Sequence, residues 1–242
     1  GGTSYGVYID GAHPVISGCT IEDNEVGIYL NNSDARIVDS SIVDSRAIED
    51  ISGIDIHGGS PHIERNVFED NAGDIFHLTD TSADIFTNLI NNNAGSAVVF
   101  WSGDNSRILA NTMNENGTGF YFKTPVDMDS VIANNQLINT LTIGVRTMST
   151  DDHWDLFASN NVWGSDAGDY NYTDQNGLNG NISQDPNYLS SSYEMAWPTL
   201  AIDGGISLAE YGITEDYNGA DRDVGLSYDI GAFETAYESD CG

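Results

Sequence analysis

Positive charge is what this chain most lacks. Lys123 is its one lysine, and with six arginines it faces 38 aspartates and glutamates, for a formal charge of -31. Nucleic acid and anionic membrane surfaces need basic clusters, so neither is an expected partner. Cysteine is scarce as well. Cys19 and Cys241 are too few for a disulfide framework or a zinc site, and their separation argues against their pairing. No run is apolar enough to span a bilayer, and no leader precedes the first repeat, so the chain reads as a mature product or an excised part of a larger protein. No stretch sustains the period of about 3.6 residues that an amphipathic helix needs, which excludes a helix-rich domain. The surplus of aspartate suits a salty medium, where counter-ions screen self-repulsion, as in a halophilic source.

What the chain does have is recurrence. Gly53 to Asn71, GIDIHGGSPHIERNVFEDN, returns along the chain with small length changes. Its glycine position is occupied by Gly6, Gly27, Gly53, Ile75, Ala97, Gly119 and Gly144, at spacings of 21, 26, 22, 22, 22 and 25 residues. The first half of each unit alternates small, apolar, outward and apolar residues (GVYI, GIYL, GIDI, IFHL, AVVF, GFYF), which predicts a short strand with one buried face. The second half carries asparagine at two fixed places. One column runs Cys19, Ser40, Asn66, Asn88, Asn111, Asn135, Asn161, and the other Asn24, Ser45, Asn71, Asn93, Asn116, Thr140. Asparagine suits a sharp bend, and amides stacked in register bond from one layer to the next. A unit of about 22 residues with such columns predicts a parallel β-helix of about seven coils, with Ile9, Leu30, Ile56, Leu78, Phe100 and Phe122 stacked inside.

These asparagine columns and N-x-apolar strands resemble the right-handed parallel β-helix superfamily of pectate lyases, over about Tyr5 to Gly164. The resemblance implies an all-β fold and an outward sheet face that carries the site. It does not choose among lyases, hydrolases, epimerases and inert surface proteins, because function on a common fold is set by the site.

Strand alternation lets the outward columns be read. One is Tyr8, Tyr29, Asp55, His77, Val99, Tyr121, Arg146, and the other Asp10, Asn31, His57, Thr79, Trp101, Lys123, Met148. Aromatic rings beside ionisable groups suit a sugar cleft: rings stack on apolar sugar faces while polar groups fix hydroxyls and carboxylates. Tyr8, Tyr29, Trp101 and Tyr121 are the candidate substrate-binding rings. Asp55, His57, His77, Tyr121, Lys123 and Arg146 are the candidate catalytic set. A uronide lyase needs a group that neutralises a carboxylate (Arg146), a base (Lys123 or His77) and an acid (Tyr121). Asp55-Ile-His57 resembles the D-x-H element of alginate epimerases, with isoleucine in place of that family's proline. Hydrolysis is disfavoured, since Asp55 and Asp10 stand about two coils apart. His57 also reads as a turn residue before Gly58-Gly59, and His13 and His62, beside Pro14 and Pro61, read as corner residues. His153 beside Asp151 and Asp152 is a weaker metal candidate.

After Gly164 the period fades. Residues 165–242 read as a loop-rich segment of the same domain that caps the coils of residues 1–164. Three elements there, Ala201-Ile-Asp203-Gly-Gly205, the turn Asp216 to Arg222, and Asp229-Ile-Gly-Ala-Phe-Glu234, resemble the closing segment of the choice-of-anchor Q cell-surface β-helix proteins. That resemblance implies an extracellular or cell-surface protein. Arg222 is expected to pair with tail carboxylates, and Asp216, Asn218, Asp221 and Asp223 are candidate Ca2+ ligands. Three functions stay open. The first is a surface module contacting polysaccharide along the Tyr8-to-Arg146 face, with calcium as a bridge. The second is a lyase or epimerase of an acidic glycan. The third is an inert spacer or adhesion segment of a larger protein.

Overall fold

A computed structural model of the protein describes residues 4–47, 50–102, 105–123, 127–148, 153–189 and 192–235, with backbone alone at 127, 128, 153 and 154. The chain winds as a parallel β-helix with three sheets. The first holds Tyr5–Asp10, Val26–Asn31, Ile51–His57, Asp74–Thr79, Ser96–Ser102, Thr118–Phe122, Ile143–Arg146 and Gly168–Tyr170, each beside the next. The other two sheets have seven strands each, most of them three residues long, such as Ile85's strand Asp84–Phe86 and Ile90's strand Leu89–Asn91. All the strand pairs are parallel, as a coil laid on the previous coil requires. The inward residues stack in register: Ile28, Ile54, Phe76, Val98 and Phe120 form one line, and Leu30, Ile56, Leu78 and Phe100 another, all fully buried. Phe100 and Phe122 stack at 4.5 Å between centroids.

The asparagine columns act as ladders, though the rung asparagines are not themselves left-handed. The residue before each rung takes the positive φ: Arg65 (52°), Thr87 (55°), Ala110 (55°) and Asn134 (54°) precede Asn66, Asn88, Asn111 and Asn135. The rung then clamps the bend, as Asn88 does by donating to the carbonyl of Phe86 at 3.0 Å. Its own backbone N–H donates to the next rung's Oδ1, at 2.9 Å from Asn88 to Asn111. One rung differs from expectation. Asn135 bonds Asn160, not Asn161, and Asn160 bonds Asn181 in turn. Asn161 instead opens the strand Asn161–Trp163 opposite Gln136. Winding therefore continues past Gly164, with the Gly168–Tyr170 strand on the first sheet and Asn181 as a further rung.

Part of the C-terminal segment lies along a flank of the coils. Leu208, Ile213 and Tyr228 pack on Phe86, Leu109, Ala110, Val131 and Ala133. Ala232 N–H donates to Thr112 Oγ1 at 3.0 Å, and Gly231 N–H to the carbonyl of Asn134 at 2.7 Å. The later coils of the second sheet turn Phe86, Leu109, Val131 and Ala133 outward, and these apolar residues are what the segment covers. Arg222 is fully buried within this segment. It donates to the carbonyl of Gly231 at 2.9 Å and lies 3.7 Å from Glu234, the tail carboxylate expected for it. Cys19 is an exposed free thiol, and Cys241 falls outside the described residues.

His62 is not a turn residue but the first residue of the His62–Glu64 strand. Its Nε2 lies 3.1 Å from Glu64 and its Nδ1 3.8 Å from Asp84, while Arg65 and Arg107 hold the same two carboxylates. The carboxylates of Asp84 and Glu64, which accept from the protonated imidazole, push His62 up to about 9 from 6.5. A group raised on folding adds stability that is complete below its unfolded value and lost as pH climbs through the folded one. With the shift halved for partial solvation, the loss between pH 6.5 and 9 is about 2 kcal/mol, or about 5 °C in Tm. Glu234, pushed up to about 8 by burial, acts in the same direction between 4.5 and 8. His62→Gln isolates the histidine: its melting temperature should fall less steeply over this range, and equal slopes would remove His62 from the account.

Candidate functional site

Pairing on the first sheet sets the outward column residue by residue. Tyr8 stands opposite Tyr29, Tyr29 opposite Asp55, Asp55 opposite His77, His77 opposite Val99, Val99 opposite Tyr121, and Tyr121 opposite Arg146. Six parallel steps make a row about 30 Å long. The second column is interrupted. The register slips between Leu78 and Thr79, so Thr79 pairs with Ser102 and Trp101 is left as the extra residue. A bulge re-aims its side chain. Trp101 leans to the first column, with its ring 5.3 Å from that of His77.

The result is an unbroken line of ring contacts. Tyr8 and Tyr29 stack at 5.0 Å with planes 10° apart, and Tyr29 meets His57 at 5.5 Å. His57 and His77 are 6.4 Å apart, and Trp101 follows. Lys123 Nζ sits 4.3 Å above the Trp101 ring, and Arg146 Cζ sits 4.5 Å above Tyr121. Burial and the nearby Asp55 charge hold the Tyr29 phenol above its usual range, so it stays a neutral stacking surface.

The six candidate catalytic residues gather as two groups with Trp101 between them. In the first, one oxygen of Asp55 meets both histidines, His57 Nε2 at 3.0 Å and His77 Nδ1 at 3.1 Å. Asp55 and His77 are mostly buried, while His57 closes its strand and is half-exposed before the tight Gly58-Gly59 turn. Gly59 is fixed there by φ of 77° and by Ser33, whose carbonyl would lie 2.4 Å from a Cβ. In the second group, Tyr121, Lys123 and Arg146 line a cavity of about 270 Å³ with Asp50, Asp74 and Ser96. Asp74 is buried and accepts the Ser96 backbone N–H at 2.6 Å, yet burial still pushes its carboxyl up. The sequence carries a signal for Asp74: it is the one carboxylate in the polar column Ser52, Asp74, Ser96, Thr118 that precedes the apolar strand positions.

Lys123 and Arg146 differ from other cations of the chain. Arg36, Arg65, Arg107 and Arg222 each reach a carboxylate. Among the described residues Lys123 and Arg146 make no such ion pair, and both rest on aromatic faces.

The tail's four candidate metal ligands are arranged otherwise. Asp216 spends its carboxylate on the N–H groups of Asn218, Ala220 and Glu234, and is buried, whereas Asp221 and Asp223 are exposed. Among the described residues, the one cluster of three His, Cys, Asp or Glu with ligand-like spacing is Asp55, His57 and His77. Asp151 and Asp152 lie outside the described residues, as does the side chain of His153.

A family described as right handed beta helix region matches residues 2–106 and 52–183. Among solved structures, the crystal structure of pectate lyase Pel9A superimposes with a TM-score of 0.55 at 14% identity, over 95% of this chain and 67% of that one. No curated protein matches the sequence.

Proposed function

The chain belongs to the right-handed β-helix family, and we propose that it lays an acidic polysaccharide along the outer face of its first sheet. The observation that carries this reading is the pair Lys123 and Arg146. In a chain of charge -31 they stand on aromatic rings and make no ion pair among the described residues. A cation so placed is available to a ligand's carboxylate, and the line Tyr8, Tyr29, Trp101, Tyr121 offers stacking faces to successive sugar rings. The likeness of the tail to cell-surface proteins supports a place outside the cell, within a larger surface protein. The excess of acid elsewhere repels a polyuronate, so divalent calcium should strengthen binding.

Calorimetric titration tests the reading with an oligogalacturonate, an oligoguluronate and a neutral cello-oligosaccharide, each with and without calcium. The acidic chains should bind at least about tenfold more tightly than the neutral one. No binding by any of them at either calcium level would leave only the spacer reading.

A catalytic reading rests on the cavity that Tyr121, Lys123 and Arg146 share. In it Arg146 neutralises the uronate carboxylate and Lys123 takes the C5 proton. The C5–H electron pair forms the C4–C5 double bond, the C4–O bond breaks, and Tyr121 protonates the leaving oxygen. Ultraviolet absorbance of the unsaturated product follows this step. Turnover lost in Tyr121→Phe but with binding retained would support it, and binding without turnover by the unaltered chain would reject it.

A further inference from the structure

We propose that Asp55, His57 and His77 bind one divalent first-row transition-metal ion, with Zn2+ the best fit. The site goes beyond the glycan reading and does not rest on it.

Two ligand atoms about 2.1 Å from one ion, at tetrahedral to octahedral angles, lie about 3.0–3.4 Å from each other. The two imidazole nitrogens approach Asp55 Oδ1 at 3.0 Å and 3.1 Å. All three ligand atoms lie within 4.8 Å of one another. The remaining nitrogen-to-nitrogen edge closes by a small turn of His57, which is half-exposed at its strand's end. The three donors come from adjacent coils: Asp55 and His57 sit two residues apart on one strand, and His77 stands opposite Asp55 on the next. Backbone pairing therefore fixes the spacing before any ion arrives, which lowers the ordering cost of binding. Two imidazoles and one carboxylate suit zinc, copper, nickel or iron, whereas calcium takes oxygen ligands. Tyr29 and Trp101 flank the histidines, so a coordination position left open would face the groove.

The rival cluster at His62 shows what disqualifies a site. There Arg65 and Arg107 already occupy Glu64 and Asp84, and their charges repel a cation. No lysine or arginine ion-pairs with Asp55 among the described residues.

The test uses the whole chain, stripped with a chelator and held in millimolar Ca2+ so that surface carboxylates are saturated. Calorimetric titration with Zn2+ should give one site per chain. His57→Ala and His77→Ala should each weaken it by at least about 100-fold, since losing a direct ligand costs no less than losing a supporting one. His57 is half-exposed, so His57→Ala should keep its melting temperature in the absence of metal, which separates lost binding from lost folding. Co2+ then locates the ion: it should quench part of the tryptophan fluorescence, and Trp101→Phe should abolish that part. Zn2+ heat no greater than that of added Ca2+ would overturn the proposal. So would alanine variants that titrate like the unaltered chain, or quenching that survives Trp101→Phe.

Discussion

Lys123→Ala is expected to weaken binding of an acidic oligosaccharide by about 30-fold, and Arg146→Ala by a similar factor. A charge-assisted hydrogen bond at a partly desolvated site contributes about 2 kcal/mol, which is about 30-fold in affinity. Each cation lies on a ring, so alanine also removes the stem that helps hold Trp101 or Tyr121 in place. Lys123→Arg should retain most of the affinity, because charge and reach survive. Arg36→Ala is the control. That residue is exposed beside Glu64 on the second sheet, and its loss should change affinity less than about twofold. Raising the salt concentration should weaken the unaltered chain and leave the two alanine variants less affected. If both variants bind as the unaltered chain does, the ligand's acidic group lies elsewhere.

Asn111→Ala should destabilise the fold by about 4 kcal/mol, the largest stability effect expected of a single polar substitution here. Asn111 is fully buried. Its Oδ1 accepts the Asn88 backbone N–H at 2.9 Å and the Asn88 side chain at 3.1 Å. Its Nδ2 donates to the carbonyls of Ile85 and Leu109 and to Asn135 Oδ1. Alanine strands these groups away from water, at about 1–3 kcal/mol for each that finds no substitute. Asn111→Ser should recover part of the loss, because Ser40 fills the same column and its hydroxyl accepts the Cys19 N–H. Asn24 is half-buried at the first coil, where among the described residues its one side-chain bond is local, so Asn24→Ala should cost about 1 kcal/mol or less. Urea unfolding of the three variants reads the differences as shifts in midpoint. A midpoint for Asn111→Ala within error of the unaltered chain would mean that the ladder does not hold the coils together.

The winding and the outward row are legible in the sequence because two independent periods agree. Alternation within each strand says which residues face out, and the asparagine columns say how many residues separate one coil from the next. Together they place Asp55 opposite His77 and Tyr121 opposite Arg146 with no coordinates at all. The failures have local causes. Asn160 and Asn161 are chemically identical neighbours, and the positive φ of Ser159 decides which becomes the rung. Coil lengths vary, so the extra residue that swings Trp101 to His77 is indistinguishable from a longer loop. Asp74 sits where alternation gives no outward reading, and only the packed corner shows its cavity. The tail's course along the flank depends on apolar outer residues such as Phe86, Leu109 and Val131, whose partners lie roughly a hundred residues away in a segment without repeats.

Hydroxyl-radical footprinting with an acidic oligosaccharide tests the claimed binding face most directly, because it reads tyrosine and tryptophan side chains one by one. Tyr8, Tyr29, Trp101 and Tyr121 should gain protection together as ligand is added, while Trp197, exposed in the C-terminal segment, reacts as before. Protection confined to Trp197, or reactivity of the four row residues unchanged at saturating ligand, would contradict it.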